Sequence, residues 1–153
     1  MRALLQRSAR AQVWVQEQQI ASIAQGLTVF LGIQPGDDEK TADFLLEKII
    51  NLRIFSDENQ KMNLSLLDIQ GELLLVSQFT LYGNTRKGRR PSFTKAEEPG
   101  KAERLFNYCV AAAKRFGLEV ATGKFGADMQ VHIINDGPVT LWLDTDILKS
   151  PAK

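Results

Sequence analysis

The 153-residue chain carries usable chemistry in four places. At the end of an apolar run, Ser77-Gln78-Phe79-Thr80-Leu81 turns polar at alternate positions, which offers hydroxyl, amide and backbone N–H groups to a developing oxyanion. The same pattern also suits a strand that simply ends. Asn135-Asp136-Gly137-Pro138 places the most permissive backbone residue directly before the one that fixes φ and lacks an N–H. Chemistry alone favours an ordinary trans turn there; the alternative is a rigid, side-chain-poor tip whose carbonyl oxygens approach a ligand. Arg86-Lys87-Gly88-Arg89-Arg90, with Lys95 nearby, can contact phosphates, although a solvated basic loop is the commoner explanation of such a run. The fourth place is the pair of singletons, His132 and Cys109. His132 shares strand parity with Gln130 and Ile134, and no serine or cysteine has a recognisable spacing to it, so it reads as structural despite its titration near neutrality. Cys109 falls on the apolar face of a helix, where a free thiol behaves as a small hydrophobe.

Elements that could hold these residues follow from periodicity. Residues 129–143 read as a hairpin, two β-rich runs joined by the turn formers 135–138. Leu27-Thr28-Val29-Phe30-Leu31 is apolar enough for a strand covered on both faces, and Asp37 or Asp38 caps a helix over roughly 39–52, where Ala42, Leu45, Leu46, Ile49 and Ile50 recur on one face. Residues 61–66 alternate as a strand with one wet face. Residues 72–82 read as one long strand with a buried middle and a polar end. A long loop over 83–100 leads to a second helix that starts at Pro99 and is closed by Gly117, with Ala102, Leu105, Phe106, Cys109, Val110 and Ala113 on its inner face. A short strand over 118–120 follows. These elements make a single α/β domain over residues 1–153, rich in antiparallel pairs.

Composition narrows the function classes. A net charge of +1 gives no global field for nucleic acid, so any such contact must be a local basic patch. One cysteine excludes a disulfide framework and fits a reducing, cytoplasmic setting. Arg2, Arg7 and Arg10 interrupt the apolar run that a signal peptide or membrane span would need. No Cys/His cluster has zinc spacing and no glycine-rich loop has a nucleotide pattern, so neither metal nor cofactor is expected.

Together, Ser77-Gln78-Phe79-Thr80-Leu81 and Asn135-Asp136-Gly137-Pro138-Val139-Thr140 resemble the two signature motifs of the D-aminoacyl-tRNA deacylases. The resemblance runs on through Gln6-Arg7, Gly32, Arg53-Ile54-Phe55-Ser56-Asp57, Lys61-Met62-Asn63-Leu64, Arg90-Pro91-Ser92-Phe93 and Phe125 to Met129. It is looser around 84–90 and after Asp144. It implies a homodimer of mainly antiparallel sheets forming a barrel-like core flanked by two main helices. It also implies hydrolysis of the ester of D-aminoacyl-tRNA, bound by its 3′ acceptor end, with no cofactor. Ser77, Gln78, Phe79 and Thr80 would form one wall of the pocket, and Phe125 and Met129 would lie near the terminal adenosine and aminoacyl group. Gly137-Pro138 would be cis and would reach into the partner's pocket to exclude L side chains by clash, with Arg7 and Asn135 in support. Glycyl-tRNA, lacking a side chain, would slip through.

For mechanism, the resemblance leaves Thr80 either as nucleophile or as part of a backbone oxyanion site, with the ribose 2′-hydroxyl helping to activate water. The sequence supplies no obvious base for a threonine nucleophile. Two other readings are a non-catalytic RNA-binding module using 86–90 and a small dimeric hydrolase of free metabolites. Neither accounts for the two motifs occurring together.

Overall fold

The computed structural model describes residues 1–150. Its frame is a pair of long antiparallel strands, β1 (Arg2–Val15) and β8 (Gln130–Asp144), in register from Arg2 opposite Asp144 to Trp14 opposite Gln130. On its other edge β1 pairs β3 (Gly26–Gly32) near its start and β2 (Gln18–Ile23) near its end. The β1–β2 connection turns at Gln16 and Glu17, both with positive φ. Gln18 and Gln19 already belong to β2.

The sheet is mixed. From β3 the chain passes through α1 (Glu39–Asn51) and a small ribbon, β4 (Phe55–Ser56) with β5 (Met62–Leu64), before β6 (Glu72–Ser77) pairs parallel to β3. A second crossover, α2 (Pro99–Lys114), delivers β7 (Val120–Thr122) parallel to β6. An intervening helix returns the chain to the same end of the sheet, so consecutive strands must run the same way. Antiparallel pairing, the expected majority, holds for the β1 pairs and for β4 with β5, while β3–β6 and β6–β7 are parallel. The curled sheet brings its ends, β2 and β7, face to face across a gap lined by Ser22, Ile23, Glu119 and Val120, a nearly closed barrel. A single turn, α3 (Thr145–Leu148), follows β8.

The first helix forms as its pattern predicts. Asp38 caps it by accepting from the Thr41 N–H at 2.8 Å, and Ala42, Leu45, Leu46, Ile49 and Ile50 are buried. In α2 the Glu98 carboxylate accepts from the N–H groups of Gly100 and Lys101, and Phe106, Cys109, Ala112 and Ala113 face inward. Both helices pack with Leu5, Val29, Leu31, Leu73 and Leu75 in the main core. The other face of β6, through Leu74 and Val76, joins Ala11, Val13 and Ile23 in a second core inside the curl.

Two expected elements differ. The long strand over 72–82 stops at Ser77, and Phe79–Tyr82 is a 3-10 turn. The 129–143 hairpin does not form: both runs belong to β8, and both pair β1 instead of each other. Between Asn135 (opposite Ser8) and Thr140 (opposite Gln6), residues 136–139 swing out of the ladder as a wide bulge facing Arg7. The turn formers interrupt the ladder but do not reverse the chain, because β1 is itself long and alternating enough to match both runs.

Candidate active site

The polar end of β6 becomes a site because the strand cannot continue. The Gln78 N–H donates to the Leu31 carbonyl at 2.7 Å, completing the ladder, and the chain then coils over Gly32. A Cβ on Gly32 would sit 3.1 Å from the Gln78 carbonyl oxygen, from Leu81 Cβ and from the Tyr82 ring, so the turn settles on bare backbone. From the far side Arg2 holds it. Its Nη1 donates to the Leu81 carbonyl at 2.9 Å, its Nε to Asp144 at 2.9 Å, and its guanidinium lies 4.5 Å from the centre of the Tyr82 ring. The Tyr82 hydroxyl is buried and meets no partner among the described residues, and burial pushes its pKa up.

Beside this turn opens a cleft of about 370 Å³. Ser77, Gln78 and Phe79 form one side, Phe125 and Gly126 another, and Phe93, Ala96, Glu97, Pro99 and Ala102 the rim toward α2, over a floor of Leu31 and Ile33. Phe79 is 58% exposed and meets Phe93 edge to face at 5.1 Å. Phe125 rests on Phe106, ring centres 6.1 Å apart. As the first N–H groups of a helical turn, those of Phe79 and Thr80 meet no acceptor among the described residues. The Thr80 hydroxyl is exposed and accepts from the Gln78 side-chain amide, a group that donates and cannot take its proton.

Of the expected site residues, the structure thus brings together Ser77, Gln78, Phe79 and Phe125, with Thr80 in the same turn. Met129 is not among the residues lining the cleft. It packs over Gly123, where an added Cβ would lie 2.7 Å from its sulfur, and joins the second core beside Val76. Gly137 and Pro138 are likewise outside this cleft and exposed on the β8 bulge. Their peptide bond is cis, which departs from the trans turn that chemistry alone favours and agrees with the family resemblance.

Arg7 and Asn135 fix the bulge. Arg7, only 8% exposed, donates from Nε to the Asp136 carbonyl at 3.0 Å and from Nη1 to the Ile54 carbonyl at 2.7 Å. Asn135 accepts from the Val139 N–H at 3.1 Å and donates to the Thr140 hydroxyl at 2.9 Å, supplying the partners that the broken ladder lacks. Gly137 has φ +123°, and a Cβ there would lie 2.8 Å from Arg7 Nη2. The tip is therefore held from beneath while its outer face stays bare.

The singletons stay outside this chemistry. His132 is exposed beside Trp14, ring centres 6.3 Å apart. Cys109 is fully buried in α2, and burial pushes its thiol to about 12. Among the described residues no three His, Cys, Asp or Glu side chains cluster as a metal site. Sequence reasoning missed the Arg2 clamp and the Glu97 and Ala96 rim. Arg2 showed only as a charge interrupting an apolar run, and the rim residues carry no motif of their own.

The family model described as D-Tyr-tRNA(Tyr) deacylase matches residues 4–144. The D-aminoacyl-tRNA deacylase of Syntrophomonas wolfei subsp. wolfei is 57% identical over 148 residues, which is 97% of this chain and 99% of the relative. That of Pseudoalteromonas translucida is 58% identical over 92% of this chain and 97% of its own. Among solved structures, the c-Myc DNA Unwinding Element Binding Protein superposes with a TM-score of 0.88 at 44% identity, over 99% of this chain and 100% of that one. With whole-length matches at this identity, and with both signature stretches lying on the cleft and on the braced bulge, the chain belongs to the D-Tyr-tRNA(Tyr) deacylase family.

Proposed function

We propose that this protein hydrolyses the ester joining a D-amino acid to the 3′-terminal ribose of tRNA, releasing free D-amino acid and tRNA. The observation that carries the reading is the turn at the end of β6, which presents the unpartnered Phe79 and Thr80 N–H groups at the mouth of an apolar cleft. An ester carbonyl placed there would develop negative charge against two donors already in position. Water attacks the carbonyl carbon and the acyl–oxygen bond breaks. The departing ribose 3′-oxygen takes up the proton that the water gives up, with the neighbouring 2′-hydroxyl assisting the transfer. Ser77 and Gln78 line the acyl side and Phe125 serves the terminal adenosine, while Met129, packed into the second core, stays outside the cleft.

The filter for handedness is the Gly137-Pro138 tip of a second copy, which enters the cleft in a homodimer. Backbone carbonyls at that point clash with an L side chain and leave room for a D one, so selection works by exclusion and tolerates many D side chains. Glycyl-tRNA passes the same filter. Two features support this reading: the tip is exposed on its own subunit, and Arg7 and Asn135 brace it from behind.

The test is deacylation of one tRNA charged in parallel with the D and L forms of one amino acid, with catalytic amounts of protein. Rapid loss of the D ester with the L ester spared is expected. Loss of both esters removes Gly137-Pro138 as a selective gate, and loss of neither overturns the hydrolase reading.

A further inference from the structure

The segment between the 3-10 turn and α2 is the most charge-biased stretch of the molecule. Arg86, Lys87, Arg89, Arg90 and Lys95 lie in it with no acidic residue from Gly83 to Ala96, in a chain whose 19 cations and 18 acids nearly balance overall. All five are exposed, and among the described residues none forms an ion pair. A merely solvated loop has no need to segregate its charge in this way, since like charges crowded without acids repel one another.

Its attachment gives the charge a direction. The loop leaves the site at Tyr82–Gly83, directly after the turn that bears Phe79 and Thr80, and returns at Glu97 and Pro99, which line the cleft. Midway, an antiparallel bridge between Asn84 and Ser92 pinches it closed, and Phe93 folds back against Phe79 and Gly83. Residues 85–91 therefore form a small basic arm rooted on the cleft rim. Gly88 turns the chain at its tip, with φ +67° and open space around it. The cleft lining itself contains one acid, Glu97, and no cation, so no charged side chain inside it can pair with a phosphate.

We propose that this arm holds the backbone phosphates of the tRNA acceptor end next to the terminal nucleoside, so that the cleft recognises the ester and the arm supplies most of the affinity. The assignment rests on the deacylase reading for its substrate. The binding it predicts can be measured without any turnover.

The experiment compares the wild type with a fourfold variant, R86Q/K87Q/R89Q/R90Q, and with R86K/R89K/R90K, which keeps the charge. Binding of uncharged tRNA is followed against salt, and hydrolysis is followed on D-aminoacyl-tRNA and on the 3′-D-aminoacyl ester of adenosine, which has no phosphate. The glutamine variant is expected to bind tRNA at least about tenfold more weakly. Its log Kd against log salt should lose about 2–3 units of slope, one increment for each phosphate contact removed. Its KM for D-aminoacyl-tRNA should rise in step while the adenosine ester is turned over at the wild-type rate, and the lysine variant should bind as the wild type does. Unchanged tRNA affinity and salt slope overturn the proposal, and so does equal loss of activity on the adenosine ester, which would mean that the loop only shapes the cleft. If no protein hydrolyses either ester but the glutamine variant still binds weakly, the deacylase reading fails and the phosphate-binding arm stands.

Discussion

The Thr80 hydroxyl receives a hydrogen bond from the Gln78 amide, and among the described residues it donates to no side-chain acceptor. A threonine nucleophile needs that acceptor, whereas an oxyanion site needs only the Phe79 and Thr80 N–H groups. Thr80→Ala should therefore keep its rate of D-aminoacyl-tRNA hydrolysis within about tenfold of the wild type. A fall of several orders of magnitude, with the circular dichroism spectrum unchanged, would make Thr80 the nucleophile. Gly137 is under a different constraint. With φ +123° and Arg7 Nη2 only 2.8 Å from any added Cβ, Gly137→Ala should cost about 1–3 kcal/mol, read as a lower urea midpoint. A midpoint equal to the wild type would show that the bulge relaxes freely. At Cys109 burial raises the thiol to about 12, so at pH 8 it stays protonated and enclosed. Native protein should leave a thiol reagent unreacted until denaturant is added, and rapid labelling of the native state would contradict that placement. These residues differ in how much their neighbours in sequence disclosed. Ser77, Gln78 and Thr80 stand out as polar positions after an apolar run. Arg2 acts through partners near residues 81 and 144, which no local pattern connects to it.

At the scale of elements, the helices were legible because their information is local. The apolar face of α1 recurs every three or four residues, and Asp38 lies three residues before the Thr41 N–H it accepts from. Strand partners are set by distant segments. Residues 129–143 carry every mark of a hairpin, yet the better partner for both halves is β1, at the opposite end of the chain. The 3-10 turn was hidden for a similar reason, since alternation continues through Thr80 while Gly32, from another strand, permits the coil. The local caps also give a pH dependence. Asp38 is held below the ordinary 3.8 by hydrogen bonds from the Thr41 hydroxyl and N–H. Asp57 is lowered by backbone bonds from Lys61 and Asn59, and Asp68 by the N–H and hydroxyl of Ser65. A carboxylate lowered on folding stabilises the native state above its unfolded pKa, and the contribution is lost as pH falls through the lower folded value. The urea midpoint should therefore hold from pH 7 to about 5 and drop below about 4. Asp38→Ser keeps a capping oxygen that does not titrate and should show a smaller drop. Equal acid sensitivity in that variant would assign the loss to other groups.

For the molecule as a whole, β6 is the member on which both cores depend. Leu73 and Leu75 face one core, Leu74 and Val76 the other, and all four are buried. Leu75→Ala should cost about 2–5 kcal/mol in urea unfolding, and a loss under about 1 would mean the core refills the space. The proposed cleft takes its tip from a second copy, so the protein in solution should have the mass of two chains. Mixing a Phe79→Ala protein with a Gly137→Ala protein should then yield dimers with one intact cleft facing one intact tip, and D-selective hydrolysis should return in part. A monomeric mass, or no recovery on subunit exchange, would place the filter elsewhere.

The pairing of β1 with β8 has a further consequence, for the order in which the chain can assemble. Arg2 meets Asp144 and the Met1 main-chain carbonyl accepts from the Thr145 N–H, so the first strand waits for the last. Contacts that span nearly the whole sequence close slowly, because the chain must give up its freedom before they form. During synthesis β2, β3, β6 and both long helices can gather around β1 while its other edge stays bare. Until residues 130–144 emerge, the chain presents a 14-residue unpaired strand edge, the feature most prone to pair with a neighbouring chain. The segment that carries the proposed filter is also the one that seals this edge, so a chain ending before residue 130 should lose the tip and aggregate together.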